Sequence, residues 1–100
     1  MEAPKIIPDE ITHDYITRSQ QREIKLMTAT MNFIIYFIGL GDDQATAEDK
    51  VGQVSDEVSQ HLYQYTLGRT QPLIDKINAS TLPFMDAAAK NKLVTDLTIV

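Results

Sequence analysis

The residues of this chain that are equipped for chemistry are few, and they stand apart. Its two histidines, His13 and His61, lie 48 positions from each other, and neither belongs to an HExxH-like cluster. There is no cysteine. A zinc ion would therefore need these histidines plus carboxylates, and disulfides and thiol nucleophiles are excluded. Asp42-Asp43 after Gly41 resembles the opening of a calcium loop, but such a loop needs alternating oxygen ligands, a central Gly and a terminal Glu, and Gln44-Ala45 break that pattern. Ser19, Ser55 and Ser80 have no GxSxG context and no recognisable base. Asn78-Ala79-Ser80 matches a glycosylation sequon, which has meaning only in a secreted chain. Gly39-Leu40-Gly41 is a fragment of a dinucleotide fingerprint, yet it follows a helical pattern and not a strand, so it reads as a helix stop. The aromatic group Phe33, Tyr36, Phe37, Tyr63 and Tyr65 offers a pocket lining, although aromatics at helical spacing belong more often to a core. The expectation is a protein that is not an enzyme, with no cofactor and no metal.

The elements behind these residues are helical. Met31–Leu40 (MNFIIYFIGL) is apolar on every side, and a helix of that kind must be covered on every side. It closes a pattern that runs without Gly or Pro from Asp9 to Ile38. Met27, Met31, Ile34 and Ile38 follow the 4-3-4 spacing of a packing seam, and Leu26, Phe33, Phe37 and Leu40 line a second face. About 30 residues would extend ~45 Å, longer than a compact chain of this size accommodates. The helix should therefore break near Ser19-Gln20 or project from the globule. After it, Thr46 opens a capping-box-like start, and Val51, Val54, Val58, Leu62 and Tyr65 give a clean core-facing stripe that ends at Leu67-Gly68. Thr70 and Pro72 start a short third helix carrying Leu73, Ile74 and Ile77. A fourth should begin around Leu82-Pro83, include Phe84 and Met85, and run to about Asp96 before an apolar tail.

At 100 residues and 11.3 kDa, with 43% apolar and 23% charged residues, the composition is globular. The expected fold class is all-α: a small bundle of three to four helices with a long first helix. Residues 1–8, carrying Pro4 and Pro8, read as an extended arm, and residues 9–100 as a single helical domain. The opening MEAPKIIPDE has neither the basic segment nor the apolar segment of a secretory signal, and no apolar run approaches the ~20 residues of a membrane span. A soluble, intracellular, cytoplasmic protein is the expectation.

The net charge of −5 is concentrated. Asp42, Asp43, Glu48, Asp49, Asp56 and Glu57 face only Lys50 between positions 41 and 60, and this segment accounts for the whole net charge. Such a balance disfavours nucleic acid, which requires clustered Lys and Arg. The six acids are a solvated face or a docking face for a basic partner. The leading expectation is a non-catalytic structural or adaptor subunit, self-associating or bound to other subunits through Met27, Met31, Phe33, Ile34, Phe37, Ile38 and Leu40. The alternative is a small acidic regulator or inhibitor that binds a basic protein through the 41–60 face.

Overall fold

A computed structural model describes residues 3–98, with side chains from Arg18 onward. The described residues form four helices and no strand: α1 (Ala3–Gly39), α2 (Gln44–Thr66), α3 (Gln71–Asn78) and α4 (Ala87–Leu97). The molecule is all-α, a small bundle built on a long first helix.

α1 is unbroken through Ser19-Gln20. Its 37 residues extend ~55 Å at 1.5 Å each, most of the 61 Å long axis of a molecule only 24 and 22 Å across. The radius of gyration is 16.7 Å, against ~13 Å for a compact chain of this length. The accessible surface is 6635 Å², against ~5,700 Å² expected from the mass. Of the two outcomes open to the long pattern, projection is the one observed. Residues 3–8 are not an extended arm; they are the first turns of α1. Pro4 falls in the first turn, where a missing N–H goes unnoticed, and Pro8 gives up a single bond to the carbonyl four residues back. Residues 1 and 2 of that arm, and 99 and 100 of the apolar tail, lie outside the described residues.

Two glycines end the first two helices in the same way. Gly41 and Gly68 have φ of 114° and 94°, where a Cβ is strained. Gly41 N–H donates to the Ile38 carbonyl and Asp42 N–H to that of Phe37; Gly68 N–H donates to Tyr65 and Arg69 N–H to Gln64. These paired bonds satisfy the last carbonyls of each helix and turn the chain sharply. The turn leaves Asp43 extended, and its carboxylate accepts from Thr46 N–H at 2.8 Å, so Asp43 caps α2 in place of the expected Thr46. Hydrogen bonds accepted from the Thr46 hydroxyl and backbone N–H hold the Asp43 carboxyl below its ordinary value. The same device starts α4: Asp86 accepts from Ala89 N–H at 2.9 Å. The fourth helix therefore begins at Ala87 and not at Leu82-Pro83. Phe84 and Met85 reach the core from the preceding loop, with Met85 buried.

α1 packs against α2 and α4, and α3 bridges α2 and α4. The core between them takes Ala29, Phe33 and Phe37 from α1 and the whole valine stripe of α2 with Tyr65. Leu73 and Ile77 of α3 join it, with Ala89, Leu93 and Leu97 of α4. The buried Tyr65 hydroxyl donates to the Leu97 carbonyl at 2.7 Å, tying the end of α2 to the end of α4. Burial raises the Tyr65 phenol above its ordinary value, and the positive charge of Arg22 partly offsets this. At the opposite end, Phe37 meets Phe84 edge-on at 5.6 Å and Tyr36 at 5.3 Å. Lys50 Nζ stands 5.1 Å from the Phe37 ring centre and 5.7 Å from that of Phe84, with the Asp42 carboxylate 2.6 Å away.

Candidate functional site

The apolar decapeptide is half enclosed by its own chain. Phe33 and Phe37, expected at a partner interface, are buried in the core at 1% and 2% exposure, so they are not available to a partner. Ile34 is half-buried and packs against the same core. α2 and α4 meet one side of α1 and suffice to cover its phenylalanine face. They do not reach the other side. Met27, Met31, Ile38 and Leu40 stand exposed there, and Ile24 and Ile35, which the 4-3-4 reading passed over, stand with them. Their exposures run from 42% to 66%.

Ile24, Met27, Met31, Ile35 and Ile38 are spaced 3, 4, 4 and 3 residues apart. On an α-helix that spacing forms one continuous ridge, ~21 Å from end to end. Beyond Glu23 and Lys25 at its N-terminal end the ridge lies in uncharged sequence: Leu26–Gly41 holds no Asp, Glu, Lys or Arg. Thr28 and Asn32 are the uncharged polar residues interleaved along it. Thr30 turns its hydroxyl back onto the Leu26 carbonyl at 2.8 Å and offers no free donor.

Beside the ridge, α1 and α2 part to leave a half-open cavity of about 370 Å³. Met27 and Met31 of α1 and Ser55 and Leu62 of α2 wall it, over a floor that includes Leu73 of α3 and Leu93 of α4. An empty apolar void costs ~24 cal/mol per Å³. A closed one of this volume would cost ~9 kcal/mol, as much as the whole stability of many domains of this length. Its open side relieves part of that, but ridge and cavity together are a surface that gains by being covered. The methionines at the edge adapt readily to an incoming shape.

The acidic segment is divided by the fold. Asp42 is paired with Lys50, and Asp43 is spent on the α2 cap. Gln44 donates to Glu48 at 3.0 Å and Gln53 to Asp49 at 2.9 Å, both at the surface. Asp56 is exposed, whereas Glu57 is half-buried with one oxygen enclosed and without a partner among the described residues. Of the six acids, Asp43, Glu48, Asp49 and Asp56 are exposed, and Asp42 and Glu57 are half-buried.

The remaining candidates are scattered. His61 is half-buried, with Nδ1 3.4 Å from Gln64 Oε1, and His13 lies in α1 with its side chain outside the described residues. Among the described residues, no three His, Asp or Glu side chains converge as metal ligands do. The aromatic group does not line one cleft: Tyr63 is exposed, Tyr65 is buried against α4, and Phe33 and Phe37 contact each other in the core with half-buried Tyr36 packed against both. Ser80 is buried, and its hydroxyl accepts from Leu82 N–H at 3.3 Å to hold the turn after α3. No helix among the described residues is long and apolar enough to cross a membrane. No protein-family model, curated protein or solved structure matches the chain.

Proposed function

We propose that this protein is a non-catalytic structural or adaptor subunit, which packs the outer face of α1 against another protein chain in a larger assembly or a homo-oligomer. The observation that carries this reading is the apolar ridge of Ile24, Met27, Met31, Ile35 and Ile38, left exposed by a chain that buries its other large apolar stripes. Burying a large aliphatic side chain is worth ~1.5–3 kcal/mol. With Leu40 included, the exposed fractions correspond to ~5–11 kcal/mol of unused burial on this chain alone. That is the scale needed to offset the ~4–15 kcal/mol cost of bringing two molecules together. A cytoplasmic location goes with this reading, as does an all-protein partner.

The alternative, an acidic regulator acting on a basic protein, draws less support. Four of its six acids accept bonds from inside the chain, and Glu57 is half-buried.

The test is native size at natural abundance. In lysate of its source the chain should run in a complex, and Met31→Glu should release it as a folded monomer of 11.3 kDa that melts like the dissociated wild-type monomer. A wild-type chain that runs as a monomer in its own lysate overturns the reading.

A further inference from the structure

We infer that the occupant of the α1 face is a second copy of this chain, laid antiparallel across the first with Met31 on the two-fold axis. This rests on the association proposed above and names its partner. The spacing 3-4-4-3 is the same read in either direction. A two-fold axis through Met31 therefore sets Ile24 of each copy against Ile38 of the other, Met27 against Ile35, and Met31 against Met31. An isologous interface requires a patch that complements itself in this way.

Area and charge agree with that arrangement. A large aliphatic side chain carries on the order of 100 Å² of apolar surface. Six of them, on average about three-fifths exposed, contribute ~350 Å² per copy and ~700 Å² across the pair. The smallest stable interfaces bury ~1,200 Å², a little under three-fifths of it apolar, which is also ~700 Å². The antiparallel register holds the Asp42-Asp43 loops of the two copies at opposite ends of the interface. A parallel pairing would instead set the acidic loops of the two copies side by side. Because Met27 and Met31 edge the cavity between α1 and α2, the second copy would also cover its open side.

The absence of cysteine makes the register directly testable. Purified full-length protein should sediment as a dimer at micromolar concentration, and Met31→Glu should weaken association at least tenfold while leaving in place the circular-dichroism melt measured on the dissociated monomer. Under mild oxidation Met31→Cys should cross-link to itself. Ile24→Cys alone should not, since its two copies lie ~21 Å apart along the paired helices, but Ile24→Cys mixed with Ile38→Cys should. A dimer in which Ile24→Cys links to itself overturns the antiparallel register. A dimer untouched by Met31→Glu overturns both this inference and the proposed use of the α1 face. A purified monomer overturns self-association alone if Met31→Glu still releases the chain from a complex in its lysate. A monomer that instead binds phosphatidylcholine vesicles through this face overturns both.

Discussion

Replacing Phe37 with Ala and Met31 with Ala should have opposite consequences, although the two residues sit six positions apart on one helix. Phe37 is 2% exposed, meets the rings of Phe33, Tyr36 and Phe84, and lies beneath the Lys50 ammonium. Removing a buried phenylalanine costs ~3–5 kcal/mol in transfer and cavity terms. Loss of the edge-on ring contacts falls within that range and pushes toward its upper end. At ~4–8 °C of melting temperature per kcal/mol for a domain of this size, the melt should fall by roughly 12–40 °C. Met31 is 61% exposed in the isolated chain. Met31→Ala should leave the melt of the monomer within a few degrees, since exposed substitutions stay within ~0.5 kcal/mol, and should lower only association. Both are read by a thermal melt at concentrations below the dissociation point, with sedimentation above it. A Phe37→Ala variant that melts like the wild type would refute the division of α1 into an inner and an outer face. So would a Met31→Ala monomer that melts 15 °C low.

Three further outcomes follow from named contacts. Tyr65→Phe should cost ~1–2 kcal/mol, because the Leu97 carbonyl loses its donor inside the core. The raised phenol favours the neutral form in the fold, so stability should be complete below the ordinary phenol pKa of ~10 and fall as pH rises through it; urea titrations from pH 8 to 11 should show that slope for the wild type and a flatter one for Tyr65→Phe. Gly68→Ala should destabilise by ~1–2 kcal/mol, since φ is 94° and the new Cβ would stand 3.3 Å from Arg22 Nη2; the same substitution at Gly52, an ordinary helical position with open space around it, should be neutral or stabilising by chemical denaturation. Asp86→Ala should cost ~1 kcal/mol by removing the α4 cap, and Asp86→Asn should recover most of it in the same assay.

Much of this fold is legible in the residues. The valine stripe of α2 and the stops at Gly41 and Gly68 follow from spacing and from backbone angles that only glycine takes easily. What the pattern could not settle is which apolar face of α1 looks inward. Both of its stripes have helical spacing, and the all-round apolarity of residues 31–40 blurs them together. The choice depends on where α2 and α4 land, which is a tertiary matter. Ile24 and Ile35 were missed for the same reason: neither belongs to a 4-3-4 run, though both complete the 3-4-4-3 ridge. Caps were ambiguous between equally good candidates. Asp43 and Thr46 can each start a helix, and the turn at Gly41 decided for Asp43 by leaving it extended at φ −74° and ψ 169°. The loop 80–86 has the apolar content of a helix, but Phe84 and Met85 reach the core without one.

The order in which the helices touch bears on how the protein is made. α1 and α2 are neighbours in sequence and can meet early, whereas α4 must return to α1 across ~50–60 residues of intervening chain. At ~5–20 residues per second on the ribosome, Phe33 and Phe37 wait several seconds after synthesis before their last cover emerges. For that interval α2 alone covers the inner side of the segment, and the part that α4 and Phe84 later close stays open. A holdase that recognises short aromatic stretches would find its best opportunity on this polypeptide then, and lose it once the fourth helix docks.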